Sequence, residues 1–120
     1  MIQTENKIQQ DIVLWFNNNY CLKHHSPRFI ILSIPNDSIN SIETKRKVNT
    51  GLLRGASDLI IVFPDRPLWI EVKTPTGSQS TDQKVFEERV KELGYQYELV
   101  RSLEQFQEVV NKAINRLKKG

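Results

Sequence analysis

The sequence predicts one domain of the α/β (α+β) class, a mixed central β-sheet flanked by helices, and three observations carry that reading. The chain has 120 residues, enough to bury roughly two-thirds of its unfolded surface around one core, so residues 1–120 are read as a single domain. Four short runs rich in β-branched and aromatic residues, at 29–34, 58–63, 68–73 and 95–100, have the length and composition of strands. Around them lie segments whose apolar residues recur at helical spacing.

The first of these, 5–19, places Ile8, Ile12, Trp15 and Phe16 on one stripe, with Thr4 as N-cap and Asn17, Asn18 and Asn19 as the stop. Residues 29–34 read as a buried strand ended by Pro35. Residues 38–50 are polar, with Ile39, Ile42 and Val48 as their apolar positions, and predict a weak exposed helix stopped at Gly51. The runs 58–63 and 68–73 flank Pro64, Asp65, Arg66 and Pro67, which predicts a β-hairpin. Ser80 and Gln83 form a capping box that opens a helix with Phe86, Val90 and Leu93 inward and Gly94 as its stop. Residues 95–100 are a strand parallel to one hairpin strand. Ser102 and Gln105 cap a last helix with Leu103, Phe106, Val109, Val110, Ala113, Ile114 and Leu117 inward, and Lys118 and Lys119 at its negative end.

Composition excludes several classes. Cys21 is the sole cysteine, which rules out an intramolecular disulfide and a Cys-rich zinc site and fits a reducing cytoplasmic compartment. The longest apolar runs, Ile12 to Phe16 and Leu59 to Phe63, have five residues each, far short of a membrane span, and Met1 to Glu5 lacks a signal peptide's basic-then-apolar start. A soluble protein without a membrane partner is expected. Seventeen Lys and Arg against 14 Asp and Glu leave a net charge of +3, a mild excess that permits an anionic partner without demanding one. No phosphate-binding Gly-Lys-Ser loop, dinucleotide turn or Ser/His/Asp order is present, so no nucleotide cofactor is expected.

The chemistry gathers at the hairpin. Alternation puts Trp69, Glu71 and Lys73 on one face of its second strand and Leu68, Ile70 and Val72 on the other. With 64–67 as the turn, Phe63 pairs with Leu68, Ile60 with Glu71 and Asp58 with Lys73, so Asp58, Glu71 and Lys73 converge on one side at one end. Both acids lie in apolar stretches, and a buried carboxylate needs a partner or a metal. Two such groups repel unless a cation such as Mg²⁺ or Mn²⁺ binds between them. A metal beside an ammonium suits phosphodiester hydrolysis, in which water is acidified and the growing charge on phosphate is offset. Glu-x-Lys alone more often marks two solvated side chains on a strand. Asp58 across the hairpin, Gly51 and Gly55 around it and the capped helix that follows shift the balance.

Gly55, Ala56, Ser57 and Asp58, then after twelve residues Glu71, Val72 and Lys73, then Gly77, Ser80, Gln83 and Gly94 closely resemble the VRR-NUC family of the PD-(D/E)xK nuclease superfamily, over about residues 2–106. Ser57 departs from the superfamily's Pro at a position whose side chain binds no metal. The resemblance implies a restriction-endonuclease-like α-β-β-β-α-β core, here with an extra C-terminal helix, and a Mg²⁺- or Mn²⁺-dependent endonuclease acting on DNA. It implies Asp58 and Glu71 as metal ligands, the Val72 carbonyl as a further one, and Lys73 positioning the nucleophilic water. It also implies that Glu5 on the first helix completes the metal shell. Glu5 extends the inward stripe, although a favourable dipole contact at an exposed N-terminus explains it equally; Gln9 is one turn on. For Gln83, the capping box stands beside a polar contact to the site or DNA.

Lys45, Arg46, Lys47 and Arg54 form one basic cluster before the Asp58 loop, extended by Lys84 and Arg89. A solvated surface and contact with DNA phosphates are both open readings. His24 and His25 read as an exposed loop, and Trp69 as core packed under a helix, with stacking on substrate the alternative. Similarity to free-standing family members implies a homodimer acting on branched DNA such as four-way junctions, in the cytoplasm of a bacterial cell or phage-infected host, in replication, repair or recombination. The alternative is a non-catalytic DNA-binding or assembly module that retains the nuclease fold; the intact Asp58, Glu71 and Lys73 argue against it. A sequence-specific restriction-type enzyme is disfavoured, since 120 residues leave little beyond the core to read base edges.

Overall fold

The computed structural model describes residues 3–35 and 53–119. Seven elements follow in order: α1 (Glu5–Tyr20), β1 (Ile30–Ser33), β2 (Leu59–Val62), β3 (Pro67–Val72), α2 (Thr81–Glu92), β4 (Gln96–Val100) and α3 (Leu103–Lys119). The four strands form one mixed sheet in the order β1-β2-β3-β4, with the first two pairings antiparallel and β3–β4 parallel. This is the predicted class, a mixed sheet flanked by helices. The weak helix expected over 38–50, with Lys45, Arg46, Lys47 and Gly51, lies outside the described residues.

Each face of the sheet has its own core. Ile8, Ile12 and Phe16 of α1 and Phe106, Val110 and Ala113 of α3 pack with Leu59, Ile61, Leu68, Ile70 and Val72. On the other face Phe86 and Val90 of α2 join Ala56 and Tyr97, with Trp69 and Ile34 packed alongside. The spacing of the buried residues on each helix is that of a single stripe. Burying Phe16, Phe106, Leu59 and Ile61 completely contributes roughly 1.5–3 kcal/mol per side chain.

Four expectations are corrected. Residues 29–34 do not form a buried strand: β1 is an edge strand with Ile30 and Leu32 exposed, because its sheet partner is β2 and α2 packs toward β3 and β4 at the opposite edge. Leu93 is not inward but 75% exposed; it is the C-cap of α2, where the chain leaves the helix toward Gly94. Tyr95 is exposed and β4 begins at Gln96.

The fourth concerns register. Phe63 does not pair with Leu68; Val62 pairs with Pro67, Ile61 with Leu68, Ile60 with Trp69 and Leu59 with Ile70. The reason is packing. Phe63 leaves the ladder and enters the core, with its ring edge-on to Phe16 at 6.3 Å and Phe29 at 5.2 Å, while Pro67, which lacks an N–H, takes the first position of its strand. The slip is two residues, and since side chains alternate with period two, every predicted face is kept.

Candidate active site

Three segments meet at one end of the hairpin: the loop entering β2, the end of β3 and the first turn of α2. Carrying the β2–β3 register one step beyond Leu59 and Ile70 sets Asp58 across from Glu71, not across from Lys73 as expected. Asp58 is tied to both neighbouring strands, its Oδ2 accepting the Val72 N–H at 2.8 Å and its carbonyl accepting the Ile34 N–H at 2.9 Å. The preceding Ser57 is fully buried, with its hydroxyl donating to the Leu59 carbonyl at 3.4 Å.

Glu71 has no solvent exposure. The Tyr97 hydroxyl donates to its Oε1 at 3.2 Å, and Gln83 Nε2 donates to its Oε2 at 3.2 Å. Burial pushes the Glu71 carboxyl up to about 8, and the neighbouring Asp58 carboxylate adds to the rise; Lys73 and the Tyr97 hydrogen bond oppose it. Burial, reinforced by Glu71, likewise raises the Tyr97 hydroxyl, so it stays a donor.

Gln83 serves both readings open to it. Its Oε1 accepts the Ser80 N–H at 2.8 Å and its own N–H reaches Ser80 Oγ at 3.2 Å, closing the capping box, while the amide nitrogen holds Glu71. The cap thereby orients the site. Gly55 brings the Asp58 loop against this turn: at φ +78° it lies so close to Asp82 and Gln83 that a Cβ would stand 2.3 Å from the Asp82 carbonyl.

Lys73 is 8% exposed. Its backbone N–H continues the sheet by donating to the Val100 carbonyl at 3.0 Å, and its Nζ lies 4.0 Å from Glu5 Oε1. Glu5 is half exposed at the first turn of α1, at the lip of the site. Beyond Lys73 the chain is held by Arg101, whose Nη1 donates to the carbonyls of Thr74 at 2.6 Å and Gly77 at 2.7 Å.

Among the described residues no three His, Cys, Asp or Glu side chains gather as a metal-binding group. Glu5 is placed against Lys73, whose Nζ is 4.0 Å from its Oε1. The physical reason is its position on an exposed first turn, where Lys73 is the facing charge. The remaining set is all oxygen, two carboxylates and the Val72 carbonyl at the same strand end. Such donors suit Mg²⁺ or Mn²⁺, and the Asp58 carboxylate adds to the rise that burial imposes on Glu71.

Other candidates fall outside this cluster. Arg54 and Lys84 are both exposed, next in sequence to the two sides of the Gly55 contact. Gln9 lines a groove of about 580 Å³ between α1 and β1 with Asn6, Val13 and Leu32. His25 is half-buried, its Nδ1 accepting the Leu22 N–H at 2.9 Å, which closes a turn. Trp69 is half-buried against Phe86, their ring centroids 5.4 Å apart. Tyr97 and Gln79 were not anticipated. The signal for Tyr97 was parallel pairing with β3, which sets it beside Trp69 on the Glu71 face.

Set beside known families, residues 2–104 match the VRR-NUC domain. A solved structure described as a VRR_NUC domain protein superposes with a TM-score of 0.74 at 21% identity, covering 94% of this chain and 89% of that one, a likeness of fold. No curated protein matches.

Proposed function

From the premise that this chain belongs to the VRR-NUC domain family, whose fold is of nuclease type, we propose that it is a divalent-metal-dependent endonuclease that hydrolyses DNA phosphodiester bonds. One observation carries the reading: the fully buried Glu71 carboxyl stands at one strand end beside the Asp58 carboxylate and the Lys73 ammonium, an acid pair next to a cation that a divalent metal would complete.

Asp58, Glu71 and the Val72 carbonyl are the residues that would hold Mg²⁺ or Mn²⁺. When bound, such a cation acidifies water and offsets charge on phosphate. The protein's own groups do the rest. Lys73, with little exposure, holds the attacking water or a phosphate oxygen, and Glu5 faces its ammonium. Water adds to phosphorus, the ester P–O bond breaks, and the leaving oxygen takes up a proton, leaving one phosphate end and one hydroxyl end. Gln83 fixes Glu71 through the same amide that caps α2. Arg54 and Lys84, together with Lys45, Arg46 and Lys47, supply phosphate contacts that position the duplex without reading its sequence.

Branched DNA as substrate, a homodimer as the working form and the cytoplasm of a bacterial or phage-infected cell as the setting rest on the family resemblance. Two active sites related by a two-fold axis suit paired incisions. The test is incubation of the purified protein with linear, flapped and four-way-junction DNA, with Mg²⁺, Mn²⁺ or a chelator. Metal-dependent cleavage of the junction in preference to the linear duplex is expected. Binding of DNA without cleavage in either metal would refute the enzyme, and equal cleavage of all three would refute the branched preference.

A further inference from the structure

The carboxylate at the centre of the site is held on one side by a residue that the Asp58, Glu71 and Lys73 pattern does not include. Tyr97 is buried, and its hydroxyl has two neighbours, Glu71 Oε1 at 3.2 Å and Gln79 Nε2 at 3.2 Å. Gln79 Nε2 also donates to Glu87 Oε1 at 3.0 Å, and Glu87 Oε2 pairs with Lys91 Nζ at 2.6 Å. These contacts fix every direction in the chain. A carboxylate only accepts, so the Gln79 amide must turn its nitrogen toward Glu87, and that nitrogen then donates to the Tyr97 oxygen as well. With an acceptor site of the hydroxyl so filled, its one hydrogen points to Glu71.

We infer that Tyr97 is a positioning residue for Glu71: its hydroxyl, oriented by Gln79, holds Oε1 while Gln83 holds Oε2, so that the free lone pairs of the carboxylate face the cation to be bound beside Asp58. This rests on the proposed metal site and adds to it a support that runs from the exposed face of α2 to the buried acid. Each Glu71 oxygen has about two acceptor positions; one on each is taken by Tyr97 and Gln83, and one on each is left. Ligating carboxylates depend on such outer partners, whose loss typically weakens metal binding about 10–100-fold.

Tyr97→Phe removes the hydroxyl and keeps the ring that packs near Phe86, at 6.3 Å between centroids. Mn²⁺ affinity of the full chain is to be measured by titration calorimetry for the wild type, Tyr97→Phe, Gln79→Leu and the double variant, with the thermal midpoint of each metal-free protein recorded alongside. The expected result is a Kd raised about 10-fold or more by Tyr97→Phe, a smaller rise for Gln79→Leu, and a double variant no worse than Tyr97→Phe, since both act through one hydrogen bond. In cleavage assays the Mg²⁺ needed for half-maximal rate should rise by a similar factor. An unchanged Kd in Tyr97→Phe, or a lowered midpoint with unchanged Kd, would overturn the inference while leaving the metal site intact. Absence of Mn²⁺ binding by the wild type would overturn the site and the inference together.

Discussion

The Asp58 carboxylate accepts the Val72 amide at 2.8 Å, and this bond joins the loop entering β2 to the strand end that carries Glu71 and Lys73. One oxygen of Asp58 is thereby used to hold the site together. Asp58→Ala should weaken Mn²⁺ binding and also leave the Val72 N–H, in a part-buried bond, unsatisfied at a cost of about 1–3 kcal/mol. Asp58→Asn should keep that bond through its amide oxygen, so urea denaturation should separate the two variants while calorimetry finds both defective in binding metal.

Stability should fall with rising pH through Glu71. In the fold its carboxyl holds a proton up to about 8, against an ordinary value of 4.5. Between those values the folded chain binds more protons than the unfolded one, and stability drops as pH rises. At about 1.4 kcal/mol per pH unit the contribution is at most roughly 5 kcal/mol across that window. Glu71→Gln should abolish this slope and raise the metal-free denaturation midpoint at pH 8, whereas at pH 5 the two proteins should agree; Mn²⁺ should stabilise only the wild type.

Two glycines with positive φ should respond differently to alanine. Gly55 at +78° has the Asp82 backbone 2.3 Å from an added Cβ, while Gly94 at +86° has nothing within 4 Å. Gly94→Ala should cost about 1 kcal/mol, the strain of the left-handed backbone alone. Gly55→Ala should cost several times as much in thermal denaturation and should lower metal affinity too, because it pushes the Asp58 loop away from Gln83.

Loss of Arg101 should loosen the turn after Lys73. Its guanidinium donates to the Thr74 and Gly77 carbonyls, and charge-assisted bonds of this kind contribute roughly 1.5–3 kcal/mol. In Arg101→Ala, amide hydrogen exchange over residues 74–79 should accelerate, with the β2–β3 ladder protected as before.

Most of the fold was legible because its signals are local. Thr4 and Ser80 mark helix starts through side-chain oxygens that accept helix N–H groups, Gly94 marks a helix end through its positive φ, and alternation in 68–73 sorted core from site face whichever partner the strand took. Tertiary choices were not legible. Phe63 belongs to the ladder by sequence and to the Phe16–Phe29 cluster by packing, and that preference shifted the register by two. The pairing of Asp58 with Glu71 was thus nearer than expected, on the face expected. Glu5 continued the inward stripe of α1, yet an exposed first turn beside Lys73 decided its place. Tyr97 became visible as a site residue only once β4 was docked parallel to β3.

Initial cleavage rates on a labelled four-way junction in Mn²⁺, measured for the wild type, Glu71→Ala and Lys73→Ala, bear most directly on the proposed chemistry. The wild type should cut, and each substitution should lower the rate about 100-fold or more, with Lys73→Ala still binding Mn²⁺ and DNA. Cleavage that persists in both variants, or a wild type that binds the junction and never cuts it, would contradict the assignment.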